Sequence, residues 1–199
     1  QKLGKKVFIV VERLSELEII DRVAKEINIK PNIGLRIKLI SSGQGRWAES
    51  GGEYSKFGLN SMELIEAFDF AEKHGIKNCI RLIHFHLGSQ ITNIRRIKNS
   101  LKEVGRFYVE FRKSGFPIDY IDVGGGLGVD YDGSRSTYAS STNYSVQEYA
   151  NDVVYHILES CQEEDLPHPN IISESGRAMT AYHSILVFNV LDVASFPEW

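Results

Sequence analysis

Two glycine-containing motifs follow predicted strands and could bind an anionic group. The first, "DVGGG", has three glycines at positions 124–126. Glycines lack a Cβ, so backbone N–H groups can converge on an anion there, although a tight strand-to-helix turn would use the same residues. The second, "ESGR", combines the Glu174 carboxylate with the Arg177 guanidinium, whose planar fork suits a phosphate. Taken alone, "ESGR" is more often a surface ion pair.

Two histidines end another apolar run, in "RLIHFHLGSQ". Strand alternation places His84 and His86 on one face, with His86 at the mouth of the predicted sheet. Two imidazoles could bind a metal ion, but a pair without a third ligand nearby is a weak signal. An isolated pair of this kind favours histidines with a structural role.

Two cations alternate with apolar residues in "IGLRIKL", residues 33–39. Arg36 and Lys38 therefore share one face of a predicted strand whose other side chains are apolar. In a barrel, that face would point inward.

The elements that must position these residues alternate regularly along the sequence. Apolar runs predict strands, and helical periodicity after capping residues predicts helices. The helix starts are assigned to three capping boxes and to a residue near Asn93; the boxes are Ser15 with Glu18, Asn60 with Glu63 and Ser145 with Glu148. The predicted strands are 7–12, 33–39, 79–86, 120–126 and 170–177.

Four strand–helix repeats followed by a fifth strand predict an α/β fold with a parallel sheet, either an open doubly wound sheet or part of a (β/α) barrel. Glycine and Gly-Arg loops after consecutive strands are typical of phosphate sites in barrels, which favours the later strands of a (β/α)8 barrel. We assign residues 1–181 to that barrel. The apolar run at 182–193 predicts an exit strand, so residues 182–199 would lead into a β-rich second domain.

Composition narrows the class of protein. The formal net charge of −3 gives no basic surface for nucleic acid, and no apolar stretch approaches a membrane span. Cys79 and Cys161 have no metal-ligand spacing and are too few to staple a secreted scaffold, which favours a reducing compartment, the cytoplasm.

These motifs, in this order, resemble the barrel domain of the fold-type III pyridoxal-phosphate-dependent decarboxylases. That family includes ornithine, diaminopimelate and arginine decarboxylases, and the matching pieces are "KFG", "HFHLGSQ", "DVGGG" and "ESGR". Longer stretches, such as "DVGGGLGVDYDGSRS" and "ESGRAMTAYHS", are most similar to the biosynthetic arginine decarboxylases. The resemblance implies conversion of L-arginine to agmatine and CO₂ in polyamine biosynthesis.

The resemblance implies pyridoxal 5'-phosphate as the cofactor and a role for each matching residue. His86 would stack on the pyridine ring and Glu174 would contact its nitrogen, which makes these two the implied catalytic residues. Arg36 and Lys38 would be supporting cations behind the cofactor. The implied phosphate ligands are Ser89, Gly124, Gly125, Gly126, Gly176 and Arg177. No residue is implied as a metal ligand, and a requirement for Mg²⁺ stays open.

The sequence also departs from the family pattern. The family binds its cofactor through a Schiff-base lysine on an early barrel strand, and nothing here resembles that segment. Both ends look cut, so we expect a piece of a longer protein that is inactive by itself. In the family a C-terminal β domain meets the substrate across a subunit interface, which implies a homodimer or a larger homo-oligomer.

Three alternatives remain at this point. Diaminopimelate or ornithine decarboxylation would use the same barrel. A non-catalytic relative could keep the fold for regulation, since fold does not fix function. A barrel could also bind a phosphorylated metabolite without pyridoxal.

Overall fold

Five parallel strands form one sheet whose strand order follows the chain. The computed structural model describes residues 4–42 and 55–194. The strands are β1 (Ile9–Val11), β2 (Ile33–Arg36), β3 (Ile80–His84), β4 (Tyr120–Asp122) and β5 (Asn170–Ile172). The prediction of an α/β protein with a parallel sheet is confirmed.

Helices connect consecutive strands and cover one face of the sheet. They are α1 (Leu14–Glu26), α2 (Ser61–Lys73), α3 (Ile94–Lys113), α4 (Val146–Glu163) and the short α5 (Gly176–Thr180). Strand alternation sorts the side chains between the two faces. Leu35, Ile83 and Phe85 are buried in a core shared with the helices, whereas Arg36 and His84 point to the other face. The face opposite the helices therefore carries the polar groups.

The sheet is curved toward that polar face. Phe8, just before β1, and Tyr120 on β4 have ring centroids 4.9 Å apart, and Lys6 Nζ donates a hydrogen bond of 2.6 Å to the Tyr120 hydroxyl. In a flat sheet, three inter-strand steps of about 4.8 Å would separate β1 and β4 by roughly 14 Å. The contact is possible because the strands wrap around the concave face.

Local capping chemistry fixes the helix starts. The Asn60 and Ser145 side chains accept from the backbone N–H groups of Glu63 and Glu148, as predicted. The predicted box at Ser15 and Glu18 is wrong. Helix α1 begins at Leu14, because the Glu16 carboxylate accepts from the backbone N–H groups just before it, at Glu12 and Arg13.

The strand predicted at 182–193 is not formed. Residues Ala181–His183 make one turn of 3-10 helix, and residues 184–194 have no regular secondary structure. A strand needs a neighbour. Within the described residues this run pairs with none, and its apolar side chains are exposed, Leu191 by 96%. The β-rich second domain remains a prediction, and residues 195–199 lie outside the described part.

Two long connections in the sequence, residues 41–55 and 127–144, are rich in glycine and serine. Most of the first, residues 43–54, lies outside the described residues. The second is held by its own serines and aspartates: Ser140 Oγ donates to Asp132, and Ser141 Oγ donates to Asp130, both at 2.6 Å. Across residues 4–42 and 55–194, no helix is both long enough and apolar enough to cross a membrane.

Candidate functional site

The carboxyl ends of four neighbouring strands place the polar residues side by side. Sheet register aligns Arg36 with His84, His84 with Asp122, and Asp122 with Ile172. Glu174 follows Ile172 by two residues, so strand alternation keeps it on the same face. The predicted convergence at one sheet edge follows from the parallel register.

The triple glycine after β4 forms a turn packed backbone against backbone. A Cβ added to Gly124 would lie 2.3 Å from the Phe85 carbonyl oxygen, and one added to Gly126 would lie 1.8 Å from that of Gly88. Gly124 and Gly126 also have φ angles of +66° and +90°, in the left-handed region. Side chains are therefore excluded here, and only residues without a Cβ fit between the neighbouring loops.

Hydrogen bonds tie this turn to its neighbours on both sides. The Gly124 N–H donates to Asp122 Oδ1 at 2.9 Å, and the Gly124 carbonyl accepts from the Glu174 N–H at 2.8 Å. On the other side, the Ile91 N–H donates to the Gly126 carbonyl at 2.9 Å. The turn thus joins the loop after β3 to the segment after β5.

Arg177 reaches from the start of α5 to the loop after β3. Its Nη2 donates to Ser89 Oγ at 2.8 Å, and its Nη1 lies 3.4 Å from Gln90 Oε1. Gln90 is itself fixed, because its side-chain amide exchanges hydrogen bonds with the backbone of Val129. Two residues predicted to share a ligand, Ser89 and Arg177, are therefore in direct contact.

His84, Asp122 and Glu174 form a compact cluster. Each offers one donor atom within 4.8 Å of the other two. His84 Nδ1 lies 3.2 Å from Asp122 Oδ2, both residues are more than 90% buried, and His84 Nδ1 makes no aligned hydrogen bond. Such a trio could hold a divalent ion, but its imidazole suits a transition metal better than Mg²⁺.

Glu174 differs from expectation in its exposure. A carboxylate that contacts a cofactor ring would be enclosed, yet Glu174 is exposed in the described structure. The reason lies in the topology: β5 is an edge strand of the described sheet, so no further strand covers its outer side. Gly176 and Arg177, which follow β5, are exposed for the same reason.

His86 stands half-buried at the mouth of the sheet, as predicted. Burial lowers the pKa of His86, and the positive charges of Arg36 and His84 lower it further, against the opposing effect of Asp122. The neutral ring is favoured, which suits stacking on another aromatic ring.

The two predicted supporting cations are neutralised by carboxylates. Arg36 forms an ion pair with Glu12, and its guanidinium lies 5.3 Å from the centre of the Phe57 ring. Lys38 Nζ lies 3.9 Å from Glu63, at the start of α2. Arg36 therefore adjoins the histidines, whereas the described ion pair of Lys38 is directed toward a helix.

Two residues with evident positions in the site were not singled out from the sequence. Asp122 stood inside the quoted "DVGGG" motif, but only its glycines were assigned. A carboxylate ending a strand directly before three glycines was a signal, because an Asp side chain readily accepts from the N–H two residues later. Gln90 gave no such signal, since its partners at 129 and 177 are far away in sequence.

Comparison with known proteins decides the family. Residues 2–181 match the family model described as "Pyridoxal-dependent decarboxylase, pyridoxal binding domain". The chain belongs to the pyridoxal-dependent decarboxylase family. The biosynthetic arginine decarboxylase of Bacteroides thetaiotaomicron is 56% identical over all of this chain, which covers 32% of that relative. The chain thus spans about a third of the length of the curated relatives it matches.

Solved structures agree with this family membership. The biosynthetic arginine decarboxylase of Campylobacter jejuni has a TM-score of 0.75 and 39% identity, over 88% of this chain and 28% of that one. A Helicobacter pylori diaminopimelate decarboxylase, complexed with L-lysine, has a TM-score of 0.65 and 28% identity, over 84% of this chain and 39% of its own. The described sheet and helices therefore share the fold of the matching part of these two decarboxylases.

The residues present fit the family's cofactor. The turn at 124–126 has no Cβ to block an anion, so a phosphate could approach its backbone closely. The buried His84 Nδ1 without an aligned partner and the nearby Glu174 carboxylate supply polar atoms for the other end of such a molecule.

Proposed function

We propose that this chain is the cofactor-binding part of a pyridoxal-phosphate-dependent decarboxylase that converts L-arginine to agmatine and CO₂ in polyamine biosynthesis. One observation carries the proposal: a turn closed to side chains, the Arg177–Ser89 pair and the Glu174 carboxylate converge at one sheet edge. Relatives 47–56% identical to this chain are named biosynthetic arginine decarboxylases, which supports arginine as substrate.

The two ends of the proposed site would bind different parts of the cofactor, its phosphate and its ring. The phosphate is assigned to the backbone of the turn at Gly124, Gly125 and Gly126, in which Asp122 holds the Gly124 N–H, with Ser89, Gly176 and Arg177 beside it. Charge-assisted hydrogen bonds from a guanidinium are stronger than neutral ones, and Arg177 is already held by the loop it would share with the phosphate. Binding would replace or extend the Arg177–Ser89 contact.

His86 and Glu174 are assigned to the cofactor ring. Pyridoxal phosphate supplies an electron sink for the charge left when CO₂ departs, and the sink is strongest when the ring nitrogen is protonated. A carboxylate within about 4 to 6 Å of that nitrogen favours its cationic form. Glu174 would hold that proton in place, and the neutral His86 ring would cover one face and exclude water from it.

The described sheet is assigned to the later strands of a (β/α)8 barrel, within residues 1–181. The strong curvature that brings Phe8 to Tyr120 supports this, because closure of a barrel requires the strands to wrap around one concave face. The polar groups at the carboxyl ends of β2 to β5 then lie at the mouth of the barrel, where sites in this architecture occur.

The complete protein is assigned to the cytoplasm and to a homodimer or larger homo-oligomer. Cys79 and Cys161 are buried free thiols, which supports a reducing compartment. We expect the lysine that carries the cofactor to lie outside these 199 residues, and the isolated chain to be inactive. We assign the His84, Asp122 and Glu174 cluster to the ring nitrogen rather than to Mg²⁺ or another metal.

The test uses the full-length protein that contains this chain. Release of CO₂ from carboxyl-labelled arginine, ornithine, diaminopimelate and lysine is measured after reconstitution with pyridoxal phosphate. Arginine should react at least about tenfold faster than the others, since a site built for one polar end group rejects substrates that leave it unpaired. A faster reaction with diaminopimelate or ornithine would reassign the substrate. Bound cofactor without CO₂ release from any substrate would favour a non-catalytic relative.

A further inference from the structure

The buried carboxylate of Asp122 has two oxygens committed in different directions. Oδ1 accepts from the Gly124 N–H at 2.9 Å, and Oδ2 lies 3.2 Å from His84 Nδ1. The side chain is 8% exposed, so it is held on both sides and shielded from water. A carboxylate so placed is costly unless its surroundings use its charge.

The Asp122 carboxylate lies next to both ends of the proposed cofactor site, the glycine turn and Glu174. Through Oδ1, Asp122 fixes the first glycine of the phosphate turn in its left-handed conformation, with φ +66°. Its carboxylate also lies within 4.8 Å of the Glu174 carboxylate, the group assigned to the ring nitrogen. The other titratable or charged side chains nearby are Arg36, His84 and His86, and Arg36 is already paired with Glu12.

We propose that Asp122 is a positioning residue that serves both ends of the cofactor at once: it holds the glycine turn through Oδ1, and its carboxylate places a second negative charge close to Glu174. This inference rests on the proposed function. The second charge adds to the field of Glu174 and favours a protonated ring nitrogen, because an opposite charge at this range stabilises a cation. His84 Nδ1 lies 3.2 Å from Asp122 Oδ2 without an aligned hydrogen bond, so the Gly124 N–H is the group that orients the carboxylate.

Two uncharged variants separate the two roles. Asp122→Asn keeps an oxygen that accepts from the Gly124 N–H but removes the charge, and Asp122→Ser does the same with a hydroxyl. Asp122→Ala removes both. The control is Asp119→Asn, the same change on the same chain segment but just before the opposite end of β4, where Asp119 pairs with Arg81.

The experiment uses the full-length holoenzyme carrying pyridoxal phosphate labelled with ¹⁵N in its ring. We expect Asp122→Asn and Asp122→Ser to shift the proton equilibrium of the ring nitrogen by at least about tenfold toward the neutral form, as removal of one partly screened charge predicts. Cofactor retention during dialysis should stay near the wild-type level in these two variants and should fall in Asp122→Ala. Asp119→Asn should match the wild type in both measurements.

Each other outcome overturns a stated part. An unchanged ¹⁵N resonance in Asp122→Asn and Asp122→Ser would contradict the proposed effect of the second negative charge. Full cofactor retention in Asp122→Ala would contradict the proposed role of Asp122 in holding the glycine turn. A neutral ring nitrogen in the wild type would contradict the role assigned to Glu174. Absence of CO₂ release from arginine would instead contradict the proposed function, so the two failures are distinguishable.

Discussion

The carboxyl ends of β4 and β5 carry adjacent parts of one site but are held in different ways. After β4, Asp122 is buried, and the glycine turn packs against the carbonyl oxygens of neighbouring loops. After β5, Glu174 and Arg177 are exposed, and the Arg177 guanidinium is held by Ser89 and Gln90. The glycine turn is thus packed within the described structure. Glu174 and Arg177 are not, and only a bound ligand or further protein would bury them.

The largest effect is expected on the exposed side. Glu174→Gln in the complete protein should retain the cofactor but slow CO₂ release by roughly 10³-fold or more, because a positioned charge at the reacting group is removed while its shape is kept. Turnover with arginine and cofactor absorbance are measured together. The matched control is Glu66→Gln, an exposed position on α2. Equal turnover in wild type and Glu174→Gln would show that the exposed Glu174 takes no part in the reaction.

The next effect tests the packed side. Gly126→Ala places a Cβ 1.8 Å from the Gly88 carbonyl oxygen at a φ of +90°, so we expect a loss of about 3 kcal/mol in the free energy of unfolding and poor cofactor retention. Gly176→Ala is the control, since nothing lies within 4 Å of its added Cβ; it should change stability by about 0.5 kcal/mol or less. Equal stability of both variants in urea would contradict the contrast between the two sides.

Arg177 should affect affinity rather than turnover. Arg177→Ala should weaken cofactor binding by about 1.5 to 3 kcal/mol, the usual range for a hydrogen bond to a charged group, or roughly 10- to 100-fold in Kd. Arg177→Lys should recover only part of this, since an ammonium lacks the bidentate fork. Equilibrium binding to the apoprotein measures both, with Arg22→Ala on the exposed side of α1 as control. Wild-type affinity in Arg177→Ala would place the phosphate elsewhere.

The smallest effect is a pH dependence from His86. Its pKa is lowered from 6.5, by burial first, so the folded state disfavours the protonated ring. The contribution of the neutral His86 ring to the free energy of unfolding is therefore fully present above the pKa that His86 has in the unfolded chain. It is lost as the pH drops below about 6.5. His86→Phe should lose less stability than wild type between about pH 7 and pH 5.5 in urea unfolding. His168→Gln, an exposed position, is the control, and parallel wild-type and His86→Phe curves would contradict a half-buried neutral ring.

Local patterns predicted most of the fold. The helix starts at Asn60 and Ser145 were correct because a side chain and a backbone N–H three residues later determine them. Helix α1 was misplaced because several polar residues near 12–18 could cap it, and only the path of the preceding strand selects Glu16. The 182–193 run failed as a strand because apolar composition does not supply a partner to pair with.

The sequence predicted where the site residues lie on the sheet, but not how far each of them is exposed to solvent. Period-two alternation and parallel register sufficed to bring Ser89, Gly124 and Arg177 to one edge. The exposure of Glu174 depends on what lies beyond β5, which no local pattern encodes. The contacts of Gln90 with Val129 and Arg177 are equally non-local, since they join three loops distant in sequence.

The hydrogen bond between the Glu174 N–H and the Gly124 carbonyl, 2.8 Å long, acts as a ruler. It fixes the backbone from which Glu174 projects relative to the glycine turn, so only the Glu174 side chain can adjust to the length of a ligand. We expect pyridoxamine phosphate to bind, and an analogue with one extra methylene before its phosphate to bind more weakly.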